Sequence, residues 1–238
     1  MMLDRISLAY WFPKLQVSGV PVPKTEIVTT DADFLSLLDG QPSPSADGFL
    51  DHLKERCREW GYPLFLRTGH TSAKHSWKNS CHVASEEALG HSVWELIEAS
   101  YMAMPEMPTN VWAIRELLDL DVRFRGFWGE LPIAVEWRYF IEPQRVICHH
   151  PYWPPEAFER TSNWVPSNWM TLLEEMNAEP SEDEQRLLNF YCDEILTRGE
   201  FEGAWALDFA RAGPMRWYAI DMAPAEVSWH WPDCEAYR

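Results

Sequence analysis

The sequence predicts an α+β fold built mainly from antiparallel strands. Short segments of alternating apolar and polar residues, separated by turn residues, indicate hairpins, and amphipathic segments among them indicate helices. The 238 residues suit one large domain or two closely packed lobes, and they contain no internal repeat or Gly/Ser-rich linker. Mixed strands and helices in which hairpins dominate are typical of the α+β class.

The composition favours a dense, acidic, intracellular protein. Hydrophobic residues make up 46% of the chain and Trp occurs 14 times, which predicts a globular core. A formal charge of −17 argues against a nucleic-acid partner but does not exclude ATP. Five scattered cysteines without C-x-x-C spacing favour reduced thiols over disulfides or a zinc knuckle. With no apolar run of membrane length (~18 residues) and no signal-peptide pattern, we expect a cytoplasmic protein without a membrane partner.

The first half of the chain is expected to mix strands with amphipathic helices. Strands are predicted at 25–30, after the helix-breaking Pro21 and Pro23, and at 63–67, 80–84 and 110–118. Helices are predicted at 3–17, at 31–38 with Thr30 or Asp31 as the cap, and at 90–103. A further helix is predicted to follow the loop 41–47, with Asp47 as its cap.

The second half is expected to add hairpins and two further helices. Strands 122–128 and 133–141 form a hairpin pattern across 129–132, and strand 145–150 is broken by the prolines of 151–155. Helices are predicted at 167–177 and 181–198 from their apolar spacing.

A terminal hairpin, 204–231, brings two carboxylates together. Apolar and small residues alternate around Asp208, residues 212–214 supply a turn, and the second strand, 216–222, carries Asp221. Burying two carboxylates in a mostly apolar sheet is unfavourable unless a cation or strong donors neutralise them. Mg²⁺ carrying nucleotide phosphates would do so, because Mg²⁺ favours one or two carboxylates plus phosphate oxygens. The alternative, that one or both aspartates face solvent, stays open.

Three cations on or beside predicted strands suit the same ligand. Arg67 ends strand 63–67, Lys74 lies in the following loop, and Arg138 lies within strand 133–141. A charged residue in a core-like strand usually has a partner, so an internal salt bridge from Arg138 to Glu136 or Asp208 is the alternative. Taken together, the cations and the two aspartates favour a metal–triphosphate site.

Other motifs are weaker. The small-residue loop 68–77 would let backbone amides approach phosphate, but G-x-x-x-x-G-K-[ST] and G-x-G-x-x-G are both absent. The histidines do not favour zinc, because H-E-x-x-H is absent and the adjacent His149 and His150 would point to opposite faces of a strand. No G-x-S-x-G motif supports a serine hydrolase.

Four segments in this order resemble the ATP-grasp superfamily, and most closely its cell-division-cycle assembly-factor branch. They are PLFLRTGHTSAKHSW (63–77), VWAIRELLDLDVRFRGFW (111–128), LPIAVEWRYFI (131–141) and WALDFARAGPMRWYAIDMAPAE (205–226). The resemblance implies one ATP-grasp unit with two lobes, 1–114 and 115–238, whose mostly antiparallel sheets sandwich ATP.

The resemblance also implies roles for individual residues. Arg67, Lys74 and Arg138 would contact the phosphates, with Lys74 and Arg138 acting in catalysis, and Asp208 and Asp221 would hold Mg²⁺. The hinge would read adenine through the backbone of Arg115, Glu116, Leu117 and Leu118, with Asp119 or Asp121 available to the ribose. One departure is Ala223, where the family usually has an Asn metal ligand that Glu226 or Ser228 would have to replace.

The implied activity is an ATP-dependent carboxylate–amine ligase. ATP would phosphorylate a carboxylate, an amine would attack the acyl phosphate, and cations with Mg²⁺ would stabilise the transferred phosphoryl group. Arg123 or Arg125 is a candidate for binding the acceptor, which would be a small molecule, a peptide or a protein. Two alternatives stay open: an ATP-dependent assembly factor without ligase activity, and an interaction protein whose nucleotide site has decayed.

Overall fold

A computed structural model describes residues 4–159, 164–232 and Cys234. The described chain divides into two compact units. The smaller unit comprises residues 7–9 and 24–117, and the larger unit comprises residues 4–6, residues 10–23 and the chain from Leu118 onward. The first element, helix α1 (Leu8–Val17), begins in the smaller unit and continues in the larger one.

The smaller unit is a four-stranded antiparallel sheet with helices on one face. Its elements are β1 (Thr25–Thr29), α2 (Phe34–Leu38), α3 (Pro44–Trp60), β2 (Leu64–Thr68), β3 (His82–Val83), α4 (Glu86–Tyr101) and β4 (Val111–Glu116). The strand order is β1-β4-β2-β3. Every second residue of β2 and β4 packs with apolar residues of α3 and α4 in one core. This core includes Leu66 and Ile114 from the strands and Leu53 and Leu96 from the helices.

Two helix starts in the smaller unit differ from the sequence prediction. Helix α3 begins at Pro44, because the Ser43 side chain accepts a hydrogen bond from the Ala46 amide and proline suits the first helical position. Asp47 therefore lies in the first turn and is not the cap. Helix α2 is capped by Asp33, whose side chain accepts from the Ser36 amide.

The larger unit contains a second four-stranded antiparallel sheet and a small two-stranded one. Its elements are β5 (Val122–Gly126), the short turn α5 (Phe127–Glu130), β6 (Leu131–Ala134), β7 (Glu136–Glu142), β8 (Arg145–Pro151), α6 (Glu156–Glu159), α7 (Trp169–Met176), α8 (Glu182–Arg198), β9 (Trp205–Gly213) and β10 (Arg216–Pro224). The order of the large sheet is β10-β9-β7-β8, and β5 pairs with β6. Helix α8 packs against β7 and β8.

The predicted strand 133–141 is in fact two strands that belong to different sheets. Strand β6 pairs with β5, as the hairpin prediction required, but it ends at Ala134. Val135 then connects β6 to β7. Its amide donates to the carbonyl of Asp121, and its carbonyl accepts from the amide of Arg211. The residues on both sides of Val135 are buried, so burial is continuous where the chain passes between sheets.

The terminal hairpin forms as predicted, with a later turn. Strand β9 continues to Gly213 and β10 begins at Arg216, so Pro214 and Met215 form the tip. Among the described residues, no helix combines the length and apolarity needed to cross a membrane.

Candidate functional site

Four polar side chains form a row across the large sheet. Asp221 on β10 is opposite Asp208 on β9, Asp208 is opposite Arg138 on β7, and Arg138 is opposite His150 on β8. Directly opposed residues on neighbouring strands share one face of a sheet, so these four side chains are neighbours. The other face carries large apolar residues such as Tyr139, which is fully buried.

A bulge at Ile220 sets the position of Asp221. Ala219 pairs with Phe209, and the next pair in the register is Asp221 with Asp208, so Ile220 is an extra residue in β10. Because side chains alternate between faces, this one extra residue turns Asp221 to the face that carries Asp208.

Arg138 and Asp208 form a buried bidentate ion pair. Arg138 Nε donates to Oδ1 of Asp208 at 2.7 Å, and Nη2 donates to Oδ2 at 2.8 Å. Arg138 Nη1 also donates to the carbonyl of Trp229 at 3.1 Å, and the guanidinium lies 4.8 Å from the ring centre of Tyr152. Burial would lower the pKa of Arg138, but the charges of Asp208, Tyr152 and Asp221 raise it above its ordinary value. Arg138 is therefore a fixed positive charge.

This geometry decides between the two interpretations of Asp208. Asp208 is 5% exposed on an interior strand, so the interpretation in which it faces solvent is wrong. The internal salt bridge proposed for Arg138 is present. Asp221 is half-buried on the edge strand β10, and its Oδ1 accepts from the amide of Met222 at 3.1 Å.

The donors in this row fit one magnesium ion. A carboxylate has about four acceptor positions, so the two bonds from Arg138 leave a lone pair on each oxygen of Asp208. Asp208 and Asp221 thus offer the two carboxylates that Mg²⁺ takes alongside phosphate oxygens. Ala223, opposite Ala206, offers only a methyl group at the position where the resemblance implies an amide ligand.

In the smaller unit, two buried arginines lie on the face of the sheet opposite its helices. Arg67 on β2 is 6% exposed and Arg115 on β4 is 4% exposed. Arg115 is opposite Phe65 in the register, and Phe65 and Arg67 share a face because they are two residues apart. Arg67 Nε donates to the carbonyl of Thr68, and Arg115 Nε donates to Oγ1 of Thr25, each at 3.1 Å.

The loop after Arg67 is not an open amide cradle. The Gly69 amide donates to the carbonyl of Val111, the amides of His70 and Thr71 donate to Oγ1 of Thr68, and the amide of Ala73 donates to Oγ1 of Thr71. These four amides are therefore already bonded, which contradicts the expectation that the loop presents its amides to phosphate. Lys74 begins the short 3₁₀ turn Lys74–Ser76 and is half-buried.

Gly69 serves packing. A Cβ atom at Gly69 would lie 2.9 Å from both Ser7 Oγ and Val111 Cβ, so no larger residue fits without movement.

The predicted hinge residues lie at the division of the chain. Arg115 and Glu116 end β4, and the two units divide between Leu117 and Leu118. Glu116 accepts a hydrogen bond from the amide of Lys24 at 2.6 Å, and Asp119 is exposed.

The remaining charged candidates of the larger unit have protein partners. Asp121 accepts from Arg123 at 3.1 Å and pairs with Arg211 at 2.8 Å. Arg125 Nη1 donates to the carbonyl of Glu130 at 2.7 Å. A substrate would therefore compete with these bonds for Arg123 or Arg125.

Sequence reasoning missed two groups that hold Arg138. The Tyr152 ring and the Trp229 carbonyl both contact its guanidinium, yet both lie in segments without strand or helix periodicity. A dense run of aromatic residues near 152 and 229 is the only local signal.

Solved structures match this chain over most of its length. A RimK domain protein ATP-grasp from Sphaerobacter thermophilus has a TM-score of 0.51 and 10% identity, covering 92% of this chain and 60% of that one. The N5-carboxyaminoimidazole ribonucleotide synthetase purK, solved as an ADP complex, has a TM-score of 0.53 and 12% identity, covering 93% and 45%. The biotin carboxylase domain of the Hydrogenobacter thermophilus 2-oxoglutarate carboxylase, solved with MgADP, has a TM-score of 0.52 and 9% identity, covering 92% and 39%.

These matches establish the fold. The chain has the ATP-grasp fold, as the sequence predicted, with mixed helices and antiparallel sheets. It spans 39% to 60% of the length of the three matched chains. No protein-family model matches the sequence, and no curated protein does. The assignment to the cell-division-cycle branch stays a prediction.

Proposed function

We propose that this protein binds ATP with Mg²⁺ and ligates a carboxylate to an amine through an acyl phosphate. The observation that carries the proposal is the row of Asp221, Asp208 and Arg138 on one face of an ATP-grasp sheet. It combines two carboxylates for a metal with a fixed guanidinium for phosphate. Structures with the same fold were solved with ADP and with MgADP, which supports a nucleotide as the ligand.

The proposed reaction has two steps. A carboxylate oxygen of the acceptor attacks the γ-phosphorus, and the bond from that phosphorus to the β–γ bridging oxygen breaks to release ADP. The amine nitrogen then attacks the acyl carbon, phosphate leaves with the electron pair of the C–O bond, and the nitrogen loses a proton to solvent. Mg²⁺ supplies charge neutralisation of the phosphates. No protein nucleophile is required.

The chain's own part is positioning and electrostatic stabilisation. Arg138 is fixed by Asp208, Trp229 and Tyr152, so it needs little reorganisation as charge develops on the phosphoryl group. We propose that Arg67 and Lys74 of the smaller unit also contact phosphate, and that the backbone of 115–118 contacts adenine. Asp119 or Asp121 is proposed for the ribose.

A second candidate is an ATP-dependent assembly factor or binding protein that does not ligate. Ala223 favours it, because one metal ligand is absent where the ATP-grasp resemblance implies an amide. The Arg138–Asp208 pair favours it as well, since Asp208 is already neutralised by a protein cation. In this case the nucleotide would stabilise a conformation and its phosphate would not be transferred.

The test is calorimetric titration with a non-hydrolysable ATP analogue, with and without Mg²⁺. We expect Mg²⁺-dependent binding to wild type that Asp221→Ala abolishes, whereas Asp193→Ala, an exposed aspartate on α8, leaves it unchanged. Absence of binding to wild type would refute both candidates. Binding of ATP without consumption in the presence of a panel of carboxylates and amines would refute ligation and favour the assembly factor.

A further inference from the structure

Three side chains with metal-ligating atoms gather beside the polar row of the large sheet. Cys148 Sγ, one ring nitrogen of His230 and Cys234 Sγ all lie within 4.8 Å of one another. Cys148 Sγ is 3.1 Å from Nε2 of His230. Each of the three residues is half-buried. Two thiols and an imidazole are the ligands that zinc takes in structural sites.

Backbone carbonyls orient the rings of His150 and His230. His230 Nδ1 lies 3.0 Å from the carbonyl of Trp231, and His150 Nδ1 lies 3.1 Å from the carbonyl of Pro151. A carbonyl can only accept, so each ring carries its proton on Nδ1 and a lone pair on Nε2. Histidines that bind metals commonly donate their other nitrogen to a carbonyl in this way.

His150 supplies an independent sign of a missing ligand. Its side chain is 7% exposed, and its Nε2 atom is buried without a hydrogen-bond partner. The ring centres of His150 and His230 are 5.0 Å apart. Two imidazoles bound through Nε2 to one tetrahedral zinc ion have their ring centres about 5 Å apart, given Zn–N distances of about 2 Å.

We propose that Cys148, His230 and Cys234 bind a zinc ion, with His150 Nε2 as the fourth ligand. The His150 nitrogen lies outside the group of three, so it joins the metal by a rotation of its side chain. Four protein ligands leave no open position for a substrate, so the site is structural. This proposal does not depend on the proposed ligase activity.

The site would hold a later segment, residues 229–232 and Cys234, against strand β8. Cys148 and His150 belong to β8, whereas His230 and Cys234 belong to this later segment. The two are already joined where Trp231 Nε1 donates to the carbonyl of Pro151 at 2.8 Å. The same segment carries the Trp229 carbonyl that accepts from Arg138. A zinc ion here would therefore fix one of the groups that orient Arg138.

The experiment is a titration of the full-length, reduced, metal-free chain with Co²⁺, followed by displacement with Zn²⁺. We expect about one Co²⁺ per chain, with the thiolate charge-transfer and intense d–d absorption of a tetrahedral site, and displacement of that spectrum by Zn²⁺. Cys148→Ser and Cys234→Ser should each weaken binding at least tenfold. Cys192→Ala, which removes a buried thiol on α8, is the matched control and should retain the spectrum.

Further readouts separate the site from effects on folding. Zinc should raise the melting temperature of wild type and of Cys192→Ala but not that of Cys234→Ser. His150→Ala should weaken binding and lower the nitrogen count in X-ray absorption spectra; an unchanged spectrum would overturn the assignment of His150. Absence of stoichiometric metal binding to wild type would overturn the proposal, as would the finding that Cys148 and Cys234 form a disulfide in the native protein.

Discussion

The two four-stranded sheets carry buried arginines on one face and an apolar core on the other, but they hold these arginines differently. In the smaller unit, Arg67 donates to a carbonyl and Arg115 to a hydroxyl. In the larger unit, Arg138 donates twice to the carboxylate of Asp208. The paired bonds to a carboxylate fix the orientation of the Arg138 guanidinium and offset its charge.

The difference bears on the proposed nucleotide site. The row on the larger sheet carries Arg138 with Asp208 and Asp221, the two carboxylates proposed for Mg²⁺. Arg67 on the smaller sheet is proposed to contact phosphate.

Replacing Arg138 should have the largest effect, because it breaks the pair on which the larger sheet depends. Arg138→Met leaves the buried Asp208 carboxylate without its cation, so we expect the free energy of unfolding to fall by about 3–5 kcal/mol. Urea denaturation measures this change. The double variant Arg138→Met/Asp208→Leu should recover part of the loss, and Arg145→Met, which removes an exposed pair with Glu142, should cost less than about 1 kcal/mol. Equal losses for Arg138→Met and Arg145→Met would contradict this account.

Replacing Arg67 should weaken binding more than folding. Arg67→Met removes a cation from the smaller sheet, and loss of one charge-assisted phosphate contact predicts about a tenfold weaker affinity for an ATP analogue. Calorimetry gives the affinity, and thermal denaturation checks the fold. Arg58→Met, which removes an exposed cation of the same unit, is the control. Unchanged affinity in Arg67→Met would remove this arginine from the proposed phosphate site.

Restoring the missing amide should sharpen the metal site of the larger sheet. Ala223→Asn adds an oxygen ligand beside Asp221, so we expect the Mg²⁺ concentration for half-maximal nucleotide binding to fall about threefold. Magnesium titration at fixed nucleotide measures it. Ala206→Asn provides a comparison, because it places the new amide on the opposite strand, two residues before Asp208. An unchanged or higher half-maximal Mg²⁺ concentration in Ala223→Asn would show that this position does not face the metal.

The smallest effect is expected at an ion pair that is partly exposed. Arg56 donates to Glu26 at 2.7 and 3.0 Å, and these hydrogen bonds lower the pKa of Glu26 below its ordinary value of 4.5. The resulting stability is present above pH 4.5 and is lost as the pH falls through the lowered pKa of the folded protein. The advantage of wild type over Glu26→Gln should therefore shrink as the pH falls below 4.5, by no more than about 1 kcal/mol. Urea midpoints across this range test it, and a constant advantage would contradict it.

Much of the larger sheet was predictable because its strands follow a simple alternation. The hairpin that opposes Asp208 and Asp221 follows from apolar residues at every second position and a Gly-Pro turn. The end of β6 at Ala134 was not predictable, since residues buried in two different sheets look like one continuous strand. Burial alone does not record which sheet a residue joins.

The proposed zinc cluster was missed because its members are distant in sequence. Cys148 and His230 are 82 residues apart, and only the spacing of His230 and Cys234 is local. That H-x₃-C spacing suits two ligands of one metal, but a single pair says nothing about the strand that supplies the others. The loop 68–77, a weak motif for phosphate, departs from the open arrangement for a different reason: the side chains of Thr68 and Thr71 accept hydrogen bonds from its backbone amides, which composition cannot reveal.

The bulge at Ile220 lets the terminal hairpin tolerate a change in chain length. Ile220 has no partner of its own in the register, so its loss would leave Ala219 opposite Phe209 and Asp221 opposite Asp208, and the second carboxylate would keep its face. A lineage could thus lose or gain this one residue without losing the proposed metal ligand. When related chains are aligned, a one-residue gap at Ile220 therefore does not by itself indicate loss of the site.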